Sequence, residues 1–546
     1  MDHADSSSVP EPLRRLRRSL ADVLARAVLE LRPDTKLGLG AVTGDGFYYD
    51  FVFAEPLTPA DFPGIEQRMR EILALGAELA DIAADGFALR AIDGAYFEGD
   101  AANIMMTRLR AWAFASAADL AEHAAAVERA LQRDHKKLGR ELALFAFDDE
   151  IGPGLPLWLP HGAAIRRELE KLMEALEFDA GFERVATPHL ARVELYQRTG
   201  HLPYYADGMF PFMHQPGTAE NAVFALKPMN CPHHHKIFAA QKRSYRELPF
   251  RISEYGHVFR YEDSGAVSGL LRTRCMCMND AHIYCSLDQV PAELRAVLDM
   301  HRVVYDLLGL CQYRIRLSTR GPAVSKAGAR EKFVDDPAGW VQAEALLRAV
   351  LVESGMPFFE GPGEAAFYGP KIDFQFRTVT GREETASTLQ LDFAMADRLG
   401  LEYVAADGKA HRPWIIHRAP LGTHERFVAL LIERFGGAFP TWLAPVQVRV
   451  IPVSDAQLDY AREVQRALRA ERVRAELDPA DESLAKRIRA AVAQKIPNVL
   501  VVGERERAER TVSLRRYGRS ARQEVVGLDA FRAALVASIA TRALDC

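Results

Sequence analysis

The chain has 546 residues, 49% hydrophobic and 26% charged, with a net charge of -5; that length exceeds one ordinary core and implies about three or four domains. The composition is globular, and the charge excludes a polycation built to coat nucleic acid, though not a protein that holds RNA through local basic surfaces. Six cysteines, three of them within Cys275–Cys285, are too few and too clustered for a disulfide scaffold, no apolar run approaches a membrane span, and the start MDHADSSSVPEP lacks a secretory h-region. A soluble, cytoplasmic protein with reduced thiols is expected.

Residues 1–12 are polar and Ser/Pro-rich, the pattern of a disordered lead-in. From Leu13 the apolar residues Leu16, Leu20, Val23, Leu24, Ala27, Val28 and Leu31 recur at helical spacing. GAVTGDGFYYDFVF then reads as a Gly-Asp turn entering an aromatic strand, and 61–75 as an amphipathic helix. Together, 13–116 form a small module. A sparse apolar stripe (Leu120, Val127, Leu131, Leu138, Leu142) predicts one long connecting helix over 117–145.

In the central block, 146–442, strand-like runs separated by Gly/Pro turns lack βαβ alternation. They predict an antiparallel sheet with flanking helices. Over 443–546, strands at Val446–Val453, Ala475–Leu477, Asn498–Val502 and Thr511–Arg516, with helices at 455–472, 483–494 and 527–542, predict a separate α/β domain. The whole reads as an α+β multidomain chain.

Two constellations carry chemistry. KPMNCPHHHKIF places Cys231 beside His233, His234 and His235, NDAHIYC supplies His282 and Cys285, and WIIHRAPLG supplies His417. These separations do not define a metal site by spacing, and on spacing alone core cysteines with surface histidines are the readier account. Then FRISEYGHVFRYEDSGAVSGLLRTRC brackets a polar loop with Arg260, Glu262, Arg272 and Arg274. Guanidinium forks suit phosphate oxygens, but cross-strand ion pairs on a solvated sheet are an equal alternative.

Read in order, these segments resemble threonyl-tRNA synthetases, from about residue 18 to the C-terminus. FERVATPHL matches motif 1 of the class II synthetases, with Pro188 at its dimer interface; FRYE and LLRTRC match motif 2; LGTHERF matches motif 3, with Gly422 and Arg426. KPMNCP, AFYGPKIDF, TLQLDF and IHRAPLG follow the family's order. The resemblance implies a class II antiparallel-sheet catalytic domain followed by a C-terminal anticodon-binding domain. It implies a homodimer that charges tRNA(Thr) with L-threonine using ATP and Mg²⁺.

It further implies one Zn²⁺ per chain, held by Cys231, His282 and His417, with Asp280 accepting the threonine hydroxyl and Tyr368 and Lys371 placing amino acid and adenylate. For ATP it implies Arg260 on the α-phosphate, Glu262 and Met276 on adenine, and Arg272 and Arg426 at the γ-phosphate. Asp481, Arg489, Glu506 and Arg515 match anticodon contacts.

Departures from the family's pattern are informative. The chain begins where the second module of the family does, so its small N-terminal ubiquitin-like domain is expected to be absent. The editing helix, which carries His-x-x-x-His in bacterial relatives, reads LADVLARA, placing Asp22 and Arg26 there. A Cys/His editing segment normally before GAYFEGD is missing. Absence of proofreading is the expectation. After motif 2 the family's Gly-Phe-Thr-Gln-Asp-Asp is CMCMND, so Met276 and Met278 replace a phenylalanine and a glutamine, and Thr385 stands where glutamine is common. Two alternatives follow: a paralogue with an altered pocket, inhibitor-tolerant or serving a specialised pathway, and a non-catalytic tRNA-binding regulator. Retention of Arg260, Glu262, Arg426 and the three presumed metal ligands favours the enzyme.

Overall fold

The computed structural model describes residues 9–75, 85–97, 103–214, 222–321, 333–379, 381–479, 481–519 and 523–544. It divides into two compact units, Met1–Leu131 and Gln132–Cys546. Among the described residues no helix is long and apolar enough to cross a membrane.

In the first unit, α1 (Glu11–Leu31) and α2 (Phe62–Leu75) cover a four-stranded sheet. Its order is β1 (Lys36–Val42), β2 (Gly46–Val52), β4 (Met105–Ala113), β3 (Phe87–Tyr96). The α1 stripe read from the sequence is its buried face, where Leu20, Val23, Leu24, Ala27 and Val28 meet Phe47, Phe51 and Leu109. The expected lead-in is shorter than 1–12, because Pro10 occupies the N-cap of α1 and Pro12 lies in its first turn, where a missing N–H costs nothing. Residues 1–8 lie outside the described residues.

The single helix expected over 117–145 is two: α3 (Ala117–Leu131) in the first unit and α4 (His135–Glu141) in the second. Asp134 breaks the pattern. Its carboxylate accepts the Lys136 N–H at 2.7 Å and that of Lys137 at 3.4 Å, starting a new helix. No residue of α3 is buried, so packing does not carry it across the break.

An eight-stranded sheet forms the heart of the second unit. Its order is β9 (Phe358–Pro362), β8 (Tyr313–Thr319), β10 (Lys371–Arg377), β11 (Glu383–Asp392), β12 (Trp414–Ala419), β7 (Cys275–Cys285), β6 (Phe250–Phe259), β5 (Glu183–Arg184). The interior pairs are antiparallel as expected, and only the two edge pairs, β8–β9 and β6–β5, are parallel. Against one face pack α5 (Pro160–Asp179), α7 (Val290–Leu307), α8 (Pro337–Ser354) and α9 (His424–Phe435), with Leu169, Leu172, Leu294, Leu347 and Leu431 fully buried among them. The other face is the site. Over it lies the short helix α6 (Cys231–Ala239).

Toward the C-terminus a five-stranded sheet runs β14 (Ala475–Leu477), β13 (Val448–Pro452), β15 (Asn498–Val502), β16 (Thr511–Arg516), β17 (Glu524–Gly527). Helices α10 (Leu458–Ala470), α11 (Leu484–Ala493) and α13 (Leu528–Ala540) flank it. A helix α12 (Glu504–Glu509) and strand β17 were not anticipated. The run ERERAE has no apolar stripe to announce a helix; it is held by the Glu506 carboxylate, which accepts the Gly503 N–H at 2.9 Å.

Candidate active site and metal centre

Register across the large sheet assembles the site. His282 of β7 lies opposite His417 of β12, His417 opposite Gln390 of β11, Gln390 opposite Lys371 of β10, and Lys371 opposite Ser318 of β8. Laterally paired residues share a face, so one row crosses five strands. Alternation along β7 adds Met276, Met278 and Asp280 to the same face as His282.

At one end of that row α6 brings Cys231. Donor atoms of Cys231, His282 and His417 lie within 4.8 Å of one another, and all three residues are buried. The ring atoms point to a metal. His282 Nε2 has no hydrogen-bond partner among the described residues, while its Nδ1 is 2.7 Å from His234 Nδ1. His417 Nε2 is 3.0 Å from Asp392 Oδ2, leaving Nδ1 free of that contact. An orphaned buried imidazole nitrogen is costly unless a cation takes it, and carboxylates behind ligating histidines are the usual support. Burial, reinforced by His417, holds His282 well below the ordinary imidazole range, so its ring is neutral and able to ligate.

Behind these three residues runs a supporting layer that the sequence did not disclose. His234 Nε2 is 3.0 Å from Glu254 Oε2, and Glu254 accepts the Thr187 N–H at 2.8 Å. Burial alone would raise the Glu254 carboxyl, but His234, Thr187 and Lys227 outweigh it and hold it at about 2. Asp392, wholly buried, orients His417 with one oxygen while the other accepts the Ala394 and Met395 N–H groups at 2.8 and 2.9 Å. TLQLDF contains Asp392, but only strand register places it behind His417. Asp392→Asn is expected to weaken metal retention about 10–100-fold, measured by chelator competition.

Beside the cluster, Asp280 accepts the Asn230 side-chain N–H at 3.1 Å. Gly256 makes this possible, since a Cβ there would stand 2.3 Å from Asn230 Oδ1. The Tyr368 ring stacks on His417 at 4.9 Å, and its hydroxyl donates to Gln390 Oε1 at 2.5 Å. Lys371 donates to the buried Asp373 at 2.6 Å.

Three arginines lie further along. Arg260 follows β6, and among the described residues its guanidinium makes one long hydrogen bond, donating to the Pro228 carbonyl at 3.4 Å. Arg272 is exposed and pairs with Glu262 at 2.8 Å. Arg426, in the first turn of α9, donates to the Leu271 and Thr385 carbonyls at 3.2 and 2.8 Å. Burial, with Arg260 and Arg272 nearby, pushes the Arg426 guanidinium down, a field that an anion would relieve. Gly422, at φ +54°, precedes α9 where a Cβ would meet the Ala386 carbonyl at 1.9 Å. Met276 is buried and Met278 half-buried, while Thr385 Oγ1 accepts from Gln375 at 2.7 Å.

The remaining expected contacts lie in the C-terminal sheet domain. Asp481 and Arg489 are exposed and Arg515 half-buried. The Glu506 carboxylate is occupied locally, by the Gly503 N–H at 2.9 Å and the Ser513 hydroxyl at 3.0 Å.

An antiparallel sheet bearing this arginine set, followed by a separate α/β domain, defines a class II aminoacyl-tRNA synthetase. Residues 215–435 match the class II core domain family for G, H, P, S and T synthetases, and 447–538 match the anticodon binding domain family. The chain belongs to the threonine–tRNA ligase family. It is 44% identical over 588 residues to the threonine–tRNA ligase of Geobacillus sp. (strain WCH70), covering 98% of this chain and 90% of the relative. To threonine–tRNA ligase 1 of Bacillus subtilis (strain 168) it is 43% identical, covering 95% and 88%. Among solved structures it resembles the RNA binding domain of threonyl-tRNA synthetase from Cryptosporidium parvum Iowa II, with TM-score 0.69 and 34% identity over 74% of this chain and 98% of that one. A putative threonyl-tRNA synthetase from Aeropyrum pernix aligns with TM-score 0.63 and 27% identity, covering 75% and 97%.

Proposed function

We propose that the chain joins L-threonine to tRNA(Thr) with ATP, choosing its amino acid through Zn²⁺ held by Cys231, His282 and His417, and that it does no proofreading of its own. The observation that carries this reading is the buried Cys/His/His donor set, with Asp280 on the same face of the sheet as His282. Zinc held by three protein ligands supplies an open position for the amino and hydroxyl groups of threonine. Asp280 would accept the hydrogen bond of the threonine hydroxyl, and valine, which has none to offer, would forfeit that bond at a buried carboxylate. Tyr368 closes the pocket against His417, and Lys371 faces the adenylate.

Arg260 would hold the α-phosphate as the threonine carboxylate attacks it, with Arg272 and Arg426 on the departing pyrophosphate. Glu262 would exchange its Arg272 contact for the adenine amino group, and the Met276 thioether would cover the ring. ATP arrives with Mg²⁺. Exposed Asp481 and Arg489 and half-buried Arg515 would offer polar groups to anticodon bases, whereas Glu506 already serves its own helix cap. Association through the exposed Pro188 segment as a homodimer, in the cytoplasm, completes the reading. We divide the chain into an editing-like module (13–116), a catalytic domain (146–442) and an anticodon-binding domain (443–546).

Amino-acid-dependent ATP–pyrophosphate exchange tests the assignment. Threonine is expected to support exchange and valine not, with zinc in the purified protein; exchange with neither overturns it. On editing, Asp22 and Arg26 lie exposed on α1, with Arg26 engaged by Glu30 at 2.8 Å, and no cysteine precedes Cys231 in the chain. Asp22 and Arg26 do not supply the imidazoles of the His-x-x-x-His pattern. Ser-tRNA(Thr) is therefore expected to decay with the enzyme present no faster than without it, and rapid clearance in a deacylation assay would refute this.

A further inference from the structure

The face of β7 turned away from the substrate row carries a second set of donors. Alternation directs Cys277 toward α5 and α9, opposite to Asp280 and His282. There, donor atoms of Cys277, His424 of α9 and Glu170 of α5 lie within 4.8 Å of one another. Cys277 is 1% exposed and His424 wholly buried. Neither ring nitrogen of His424 has a hydrogen-bond partner among the described residues, and Nδ1 stands 3.6 Å from Glu170 Oε1, aimed at the cluster but beyond a normal hydrogen bond.

A superficially similar set shows what a self-sufficient arrangement looks like. Asp134, His135 and Glu433 also converge, but His135 Nδ1 is 2.8 Å from Glu433, its Nε2 accepts the Leu270 N–H at 3.2 Å, and Asp134 caps α4. That imidazole has no nitrogen left to give. His424 has two.

We propose that Glu170, Cys277 and His424 bind a second divalent cation of borderline-soft character, Zn²⁺ being the natural occupant, at a structural site distinct from the one formed by Cys231, His282 and His417. A thiolate, an imidazole and a carboxylate suit Zn²⁺ and exclude Mg²⁺ and Ca²⁺, which take oxygen ligands. Binding releases the Cys277 thiol proton to solvent and involves no redox change. The ion ties together α5, β7 and α9. His424 is two residues from Arg426, and Cys277 lies between Met276 and Met278, so the tie fixes the phosphate-binding helix against the strand that floors the pocket. The adjacent Glu425 already joins α9 to β7 and to the residues just before α5, accepting the Cys277 N–H at 2.9 Å and the Trp158 N–H at 3.3 Å.

Metal analysis with Co²⁺ substitution tests the site independently of activity. Cys231→Ser protein, with the first thiolate gone, is expected to retain one equivalent of metal and a thiolate-to-cobalt charge-transfer band. Adding Cys277→Ser should abolish both. In the otherwise native chain, His424→Leu and Glu170→Gln, checked for folding by circular dichroism, should each lower the metal content by one equivalent or raise the rate of chelator extraction at least tenfold. Metal-free Cys231→Ser protein, or unchanged content and extraction in both single variants, overturns the proposal. Failure of the first site would look different, with Cys231→Ser and native protein holding equal metal.

Discussion

His282→Ala is expected to release the metal of the Cys231 cluster and to lower threonine-dependent pyrophosphate exchange by about 10³-fold or more. Three consequences of one deletion combine. The donor set falls from three side chains to two, too few for a catalytic site of ordinary affinity. The His234 Nδ1 contact at 2.7 Å is lost, so the Glu254–His234 support ends in a cavity. And Asp280 is left facing an amino acid that nothing else anchors by its amino group. Metal analysis and exchange should fall together while circular dichroism is preserved. A variant that has lost this ion and still activates threonine at the native rate would show that the cluster is a core element of β7 and β12 and has no part in substrate choice.

How far this was legible in the sequence differs from element to element. The α1 stripe and the turn-to-strand run GAVTGDGFYYDFVF were written in local pattern, and the structure keeps both, pairing that strand with β1. The connecting helix was misread because a sparse stripe of leucines outweighed one capping residue, Asp134. In the site, motif order picked out Cys231, His282 and His417, which the structure brings together, but what lies behind them was invisible. Asp392 and His417 are 25 residues apart in sequence and meet only because β11 and β12 pair in one register. CMCMNDAHIYC illustrates both sides. Reading it as a cluster of thiols near a histidine groups residues that the strand separates, since Cys275, Cys277 and Cys285 take one face and Met276, Asp280 and His282 the other. Period-two alternation was available in the run itself; what lies against each face was not.

Arg260→Ala is expected to lower kcat for adenylate formation by about 10²–10³-fold, with the KM for threonine nearly unchanged. The geometry makes Arg260 the cleanest of the three arginines to test. Arg426 ties α9 to the Leu271 and Thr385 carbonyls, and Arg272 is paired with Glu262, so replacing either disturbs native contacts. Arg260 spends its guanidinium on one 3.4 Å contact to Pro228 and is otherwise held over the Tyr205 ring, 6.0 Å from its centroid. A guanidinium kept this unspent beside a site is preorganised for an anion whose charge grows during reaction, and its loss should weigh on the transition state more than on bound threonine. Arg260→Lys should recover little, because an ammonium cannot present two parallel N–H donors to phosphate oxygens. Steady-state exchange kinetics with varied ATP and threonine decide the matter. A variant that raises KM for ATP while leaving kcat intact would make Arg260 a binding residue, and the stabilisation of developing charge would then fall to Arg426.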